Sequence, residues 1–164
     1  MDKRVDDFKN FVDNCLAKNT QQHYYQVGII TPQTIRVLKE YNIEISTKEI
    51  YLTQKGLTHL YRPTKRNRNK ALRLEDIYTI PTILKYPSAI FLDTQKNRLN
   101  LLYCFQNSQK CLKLIIDTKN YIHRGEKLTI VKTAGYIYPY DMKNSKYKLI
   151  DGLWEMQGET VTLS

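Results

Sequence analysis

The sequence lacks any apolar run long enough to cross a membrane, so no membrane-spanning segment and no membrane partner are predicted. Its first residues, MDKRVDDFKNF, mix acids with bases and precede no apolar stretch, which is not typical of a signal peptide. Cysteines are few: Cys15, Cys104 and Cys111 are an odd number without a CxxC pair. We therefore expect no disulfide framework, a reducing compartment and a cytoplasmic location.

Motifs that define common enzyme classes are also absent. The chain has no GxxxxGK(S/T), GxGxxG, GxSxG or HExxH sequence. The histidines, His23, His59 and His123, are far apart in sequence, and no Cys/His spacing is typical of a zinc site. The sequence contains no cluster of acidic residues of the kind that holds two metal ions in nucleases. We expect neither a metal nor a cofactor.

Acidic residues are scarce where the cations concentrate. The net charge is +10, and residues 53–149 alone hold 19 basic and 6 acidic residues. Within them, RPTKRNRNKALR holds cations and no acid: Arg62, Lys65, Arg66, Arg68, Lys70 and Arg73. Such an excess attracts phosphates, so we predict an exposed loop on a basic face that binds nucleic acid. The alternative is a solvated loop with no partner.

The hydrophobic pattern places helices before strands. Helices are predicted over 6–17, from Pro32 after an N-cap at Thr31, after Thr53, from Leu74, and near Pro81. Strands are predicted over 88–93, 99–105, 111–117 and 128–137, with a tight turn at 106–110. If Asn107-Ser108 is the centre of that turn, Cys104 lies opposite Cys111. This segregation predicts an α+β fold. The expected domain is 27–140, with a helical extension over 1–26 and a further extension over 141–164.

Two segments carry groups that can handle a phosphodiester. His59 is followed at once by the cations Arg62, Lys65 and Arg66. A second stretch, Lys132 to Tyr136, offers the hydroxyls of Thr133 and Tyr136 at the end of a predicted strand. RNA can be cut without metal when a histidine moves the 2′-OH proton and cations stabilise the phosphorane-like charge. The plain alternatives are a surface histidine, a β-forming threonine and one tyrosine among 13.

The order of these segments resembles the phage-associated branch of the barnase/EndoU/colicin/RelE-like nuclease superfamily. The resemblance covers 29–137 and is carried by ITPQTIRVLKEYNIEI, IYLTQKGLTHLYR, LEDIYTIPTILKYPSAIFLD and VKTAGYI. It implies N-terminal helices packed on a roughly four-stranded antiparallel sheet, and metal-independent RNA cleavage in toxin or phage–host settings. By the same resemblance, His59 is the general acid or base. Arg62 and Lys65 or Arg66 bind the phosphate, and Thr133 forms a hydrogen bond to it. Tyr136 is a weaker match to the family.

Three functions are compatible with these features. The first is a metal-independent endoribonuclease of phage or toxin type, acting on RNA with tRNA among the candidates. The second is a non-catalytic nucleic-acid-binding protein, in which His59 is idle and the nucleic acid contacts Lys65, Arg66, Arg68, Lys70, Arg73 and Lys132. The third is an interaction or phage accessory protein. An acidic immunity or antitoxin-like partner suits the first and the third.

Overall fold

The computed structural model describes residues 3–61, 71–95, 101–156 and 159–161, with side chains from 6 and up to 156 within these ranges. Five α-helices are described: α1 (Lys3–Leu16), α2 (Pro32–Glu40), α3 (Gln54–Leu60), α4 (Leu74–Ile77) and α5 (Ile80–Lys85). The strands are β1 (Tyr24–Ile29), β2 (Glu49–Thr53), β3 (Ala89–Asp93), β4 (Leu101–Gln106), β5 (Cys111–His123), β6 (Glu126–Tyr136), β7 (Tyr147–Gly152), β8 (Trp154–Met156) and β9 (Glu159–Val161). A 3₁₀ helix spans Pro139–Met142.

The sheet differs from the expected one. Seven strands in the order β1-β2-β6-β5-β4-β3-β7 form one mixed sheet, and β8 pairs with β9 in a separate hairpin. The pair β2–β6 is parallel, and the other neighbours in the large sheet are antiparallel. The prediction of a four-stranded antiparallel sheet under N-terminal helices was therefore wrong, because β1 and β2 extend one edge and β7 extends the other.

The parallel pair joins distant parts of the chain. Thr129 lies 82 residues after Thr47, and the backbone N–H of each donates to the side-chain oxygen of the other at 3.1 Å. The Thr129 hydroxyl also donates to the Thr47 carbonyl at 2.6 Å. Thr129 is fully buried, and these bonds satisfy its polar atoms where β2 meets β6.

Local signals fixed the helix starts correctly. The Thr31 hydroxyl accepts from the Thr34 N–H at 3.3 Å ahead of Pro32, and the Thr53 hydroxyl accepts from the Gly56 N–H at 2.9 Å. The helix predicted from Leu74 is confirmed as α4, and a second short helix with Pro81 in its first turn follows as α5.

The strands of the second half are close to their predicted positions, but both faces of the sheet are covered. On one face of the sheet, the helices pack over Leu101 and Tyr103 of β4 and form a large core, the helix-side core. On the other face, residues after β6 pack over Leu102 and Cys104 and form the second core. Successive side chains of β4 therefore point alternately into the two cores, and neither face of the strand is exposed to solvent.

The second core is closed by the C-terminal part of the chain. Trp154 is fully buried and packs edge-on against Phe91, with ring centroids 5.8 Å apart. Its indole N–H donates to the Pro139 carbonyl at 2.9 Å, which fixes the 3₁₀ helix to this layer. Gly152 has a φ of +83°, so the chain can turn sharply from β7 into β8 beside the backbone of Ala89.

Two further expectations concern cysteine pairing and domain limits. Cys104 pairs with Lys113 and Cys111 with Gln106, so the cysteines are diagonal neighbours and not directly opposite as predicted. Both thiols are free and buried. The division into 1–26, 27–140 and 141–164 stays a prediction; β1 begins at Tyr24, and β7 lies in the last of these segments. No helix in the described ranges is both long and apolar enough to span a bilayer.

Candidate functional site

An open cleft of about 1010 Å³ lies at the end of the sheet where β5 begins and β6 ends. Four parts of the chain form its wall: Tyr61 after α3, residues 71–76 through the start of α4, the β4–β5 turn with Cys111 (107–111), and residues 136–139. The lining combines the cations of Arg73 and Lys110 and the acids Glu75 and Asp76 with tyrosine rings and amide side chains. This composition is suited to a ligand that has both anionic and aromatic parts.

A buried carboxylate lies at the centre of the wall. Asp76 is only 2% exposed, and the next residue of α4, Ile77, lies in the helix-side core. The carboxylate accepts a hydrogen bond from the Lys110 ammonium and another from the Tyr136 hydroxyl. A buried charge is tolerated only when it is paired and hydrogen-bonded, and these two groups supply that pairing.

Tyr136 links three elements at this point. Its ring packs against the helix-side core, and its hydroxyl accepts from the Arg73 backbone N–H at 3.0 Å while donating to Asp76. Burial and the hydrogen bond to Asp76 raise the pKa of Tyr136 to about 12. The phenol is therefore protonated at neutral pH, and its proton is donated to Asp76.

The two cations are held differently. Lys110 is about a third exposed (34%) and is fixed by Asp76, and its backbone N–H donates to the Asn107 side chain at 2.8 Å. Arg73 pairs with Glu75 at 3.8 Å, but both side chains are more than two-thirds exposed. Such an exposed pair contributes little, so the Arg73 guanidinium can move to a ligand. Among its described residues, the cleft thus has one fixed and one adaptable cation.

An exposed ring stands at the edge of the same cleft. Tyr138 is 78% exposed, yet its backbone N–H donates to the Asp141 carboxylate at 2.8 Å. The following residue, Pro139, is the one whose carbonyl accepts from the Trp154 indole. The backbone that carries the ring is therefore fixed, although the ring itself is largely in solvent.

Some of the predicted site residues come together here. Arg73 and Tyr136, named separately from the sequence, are in direct contact through the backbone of Arg73. Most of the basic loop, namely Arg62, Lys65, Arg66, Arg68 and Lys70, lies outside the described residues. Its neighbours in sequence on either side, Tyr61 and Ala71, both line the cleft.

His59 and Thr133 lie on neighbouring elements, and neither is among the residues that line the cleft, although Tyr61, two residues after His59, is. His59 is half-buried in the last turn of α3, and α3 packs against β6, which carries Thr133. A β-bulge between Val131 and Thr133 leaves Lys132 exposed and without a cross-strand partner. Thr133 pairs with Ile115, which packs on the second core, so its side chain points to the opposite face from Tyr136.

The other two histidines meet at the far end of β5 and β6. The His23 Nε2 atom lies 3.2 Å from Nη2 of Arg124, and the His23 and His123 rings are 5.5 Å apart between centroids. The His123 ring also packs edge-on against Tyr24. From the sequence these histidines were expected to be separate; since Arg124 follows His23 by 101 positions, no local pattern could have joined them.

The lysine and aspartate of the cleft were also missed. Asp76 has the sequence context of an ordinary acid in the first turn of a helix, where the helix dipole favours a negative charge. Lys110 was one residue of a turn. Within the residues that the structure describes, no group of His, Cys, Asp and Glu side chains could hold a metal ion.

Comparison with known proteins supports a phage association. No protein-family model matches the chain, and no solved structure matches it. The chain is similar to the Mu-like prophage FluMu F protein of Haemophilus influenzae, with 26% identity over 152 residues. These residues are 88% of this chain and 36% of that protein, so the chain spans about a third of its relative's length. The relative's name states no activity, and the nuclease superfamily stays a prediction.

Proposed function

We propose that this protein is a phage-associated ribonuclease that binds RNA in the cleft and cleaves it without a metal ion. The observation that carries the proposal is the cleft itself. It contains Arg73 and the anchored Lys110, and it is lined by the residues that flank the most basic segment of the chain, Tyr61 and Ala71. Cations that converge in one concave site favour a phosphate ligand.

The proposed reaction uses the substrate's own 2′-OH. His59 accepts the 2′-OH proton as O2′ attacks the adjacent phosphorus. The P–O5′ bond then breaks, and the departing O5′ takes up a proton, which leaves a 2′,3′-cyclic phosphate and a 5′-hydroxyl end. Histidine suits this role because its ordinary pKa lies near neutrality. Arg62, Lys65 and Arg66 would stabilise the phosphorane-like charge. Thr133 points to the opposite face of the sheet from Tyr136 of the cleft, so it has no role in this proposal.

Tyr136 takes a positioning role in this proposal. Its hydroxyl already donates to Asp76 and accepts from the Arg73 backbone, so it is not free to protonate a leaving group. Instead it fixes the start of α4 against the end of β6. The side chains of Arg73 and Lys110 are then presented from a rigid wall.

The second candidate is a non-catalytic nucleic-acid-binding protein. The observation that favours it is the same network, because the described polar groups at the centre of the cleft are arranged to hold charge and not to move protons. In this case RNA would bind in the cleft with salt-sensitive affinity and remain intact.

The test exploits the small number of histidines. Wild type, His59→Ala, His23→Ala and His123→Ala are incubated in EDTA with a single-stranded RNA and with tRNA, and product ends are identified by mass spectrometry. We expect cleavage with 2′,3′-cyclic phosphate ends by all but His59→Ala. Loss of cleavage in His23→Ala or His123→Ala alone would move the active site to the other end of the sheet. RNA binding without cleavage by wild type would favour the second candidate.

A further inference from the structure

The substrate class can be inferred from the ring at the edge of the cleft, and this step depends on the proposed function. We propose that the cleft selects single-stranded RNA by stacking an unpaired base on Tyr138 while Lys110 and Arg73 hold an adjacent phosphate. Exposed tyrosines are common on protein surfaces. What distinguishes Tyr138 is that it lines the same cleft as two cations and that its backbone is held by hydrogen bonds.

The Tyr138 ring is largely uncovered in the free protein, so its face is available to a ligand. Tyr138 is 78% exposed, more than the other large hydrophobic side chains exposed in the described part of the chain. Its ring is amphipathic and has few rotatable bonds, so covering it with a flat base costs little conformational entropy. A base has an aromatic face whatever its sequence, so such a contact favours unpaired nucleotides in general.

The backbone beneath the ring is already fixed. The Tyr138 N–H is bound by Asp141, and the carbonyl of the next residue, Pro139, is bound by the buried Trp154. The ring therefore does not need a loop to order before it can stack. Preorganisation of this kind lowers the cost of binding.

A phosphate site lies on the same wall. The Lys110 ammonium is held by the buried carboxylate of Asp76, and Arg73 is attached through its backbone to Tyr136, two residues before Tyr138. One cleft thus offers a fixed cation, an adaptable cation and a free aromatic face, which matches the phosphate and base of one nucleotide unit.

Duplex RNA does not fit this arrangement. In an A-form helix the base faces are stacked on one another inside the helix, so they cannot cover an isolated ring on the protein. A duplex would contact the cations alone. The two substrates should therefore respond differently when the ring is removed.

The experiment measures binding separately from cleavage. Fluorescence anisotropy is recorded at about 0.1 M salt with a 2′-O-methyl oligouridine of about 12 nucleotides, and with a 2′-O-methyl duplex of the same length. The 2′-O-methyl group blocks attack by O2′, so the wild-type protein can be used. The variants are Tyr138→Ala and Tyr138→Phe, with Tyr86→Ala as the matched control because Tyr86 is also exposed (67%) but does not line the cleft.

We expect wild type to bind the single strand more tightly than the duplex. Tyr138→Ala should weaken single-strand binding by roughly 5- to 100-fold, the range that stacking of one base spans. Tyr138→Phe keeps the ring and should retain the affinity, and the duplex affinity should change by less than about 2-fold in every variant. Tyr86→Ala should match wild type.

Two results would overturn the inference. One is a single-strand affinity that Tyr138→Ala leaves unchanged; the other is an equal loss for single strand and duplex, which would indicate contact through charge or shape alone. If wild type binds neither RNA, the proposed function fails and the inference fails with it. Tyr138-dependent binding of a single strand by a protein that cleaves no RNA would leave the inference standing and remove only the catalytic part of the proposed function.

Discussion

The two ends of the β5–β6 hairpin carry charged and aromatic groups in opposite ways. β5 has 13 residues, so the ends are roughly 40 Å apart. At the cleft end, a buried carboxylate fixes a lysine and a tyrosine. At the histidine end, His23, His123 and Arg124 contact one another at the surface. Buried charge can hold a site in one geometry, whereas exposed pairs leave side chains adaptable.

Two glycines with nearly the same φ, one in a packed turn and one in an exposed turn, test the contrast between buried and exposed parts of the sheet. Gly152 and Gly125 have φ values of +83° and +84°. A Cβ on Gly152 would overlap the Ser88 carbonyl and lie 2.9 Å from Ala89 Cα, whereas one on Gly125 meets nothing within 4 Å. We expect Gly152→Ala to lose about 4 kcal/mol of unfolding free energy and Gly125→Ala about 1 kcal/mol in urea titrations. Equal losses would mean that φ alone matters at both glycines.

The buried carboxylate should show the next largest effect. Asp76→Asn removes the charge that pairs with Lys110, and we expect it to lower the unfolding free energy by about 3 kcal/mol. Asp117 is also buried, but it accepts only backbone N–H bonds from Lys119 and Asn120 among the described residues. Asp117→Asn should cost about 1 kcal/mol. If the two variants lose the same amount in denaturant titrations, the ion pair adds nothing beyond hydrogen bonding.

Tyr136→Phe tests the hydroxyl by itself. We expect a loss of about 1 kcal/mol at neutral pH, because one buried acceptor loses its donor. The pKa of Tyr136 is raised from 10 to about 12, so its contribution is complete below pH 10 and is lost as pH rises towards 12. Unfolding titrations at several pH values should therefore show a shallower alkaline decline for Tyr136→Phe than for wild type. The same decline in both would show that the hydroxyl is not coupled to Asp76; Tyr86→Phe controls for loss of an exposed hydroxyl.

The histidine end should give the smallest change. His123→Ala removes surface ring contacts with His23 and Tyr24, and we expect the unfolding free energy to change by less than about 0.5 kcal/mol. Thermal unfolding at neutral pH measures it. A loss above about 1 kcal/mol would mean that this cluster also supports the fold.

Local signals predicted the elements that depend on neighbouring residues. Thr31 with Pro32 fixes the start of α2, Thr53 fixes the start of α3, and the turn at 107–110 follows from its polar residues. The parallel contact of Ile50 with Thr129 and the addition of β7 to β3 could not be predicted in this way. These pairings depend on which strand edges remain free after folding, and no nearby residue encodes that.

The same limit applies to the candidate site. Arg73 and Tyr136 were named because of charge and a strand end, but their contact depends on α4 packing beside β6. Asp76 has the sequence context of an ordinary surface acid, and only the burial of its neighbours makes it a central residue. Asp76 is one of two adjacent acids in a four-residue helix, and no local pattern distinguishes it from the exposed Glu75.

The turn of the β5–β6 hairpin has a consequence for the order of folding. Arg124 and Gly125 have φ values of +49° and +84°, as in a two-residue turn that matches strand twist. Such a hairpin can form within about 10 μs, well before the contact between Thr47 and Thr129 closes a long loop. Pairing that spreads from this turn reaches Cys111 and Tyr136 last. The cleft therefore cannot form before pairing in the hairpin is complete, and a partly folded chain would lack the cleft that is proposed to bind RNA.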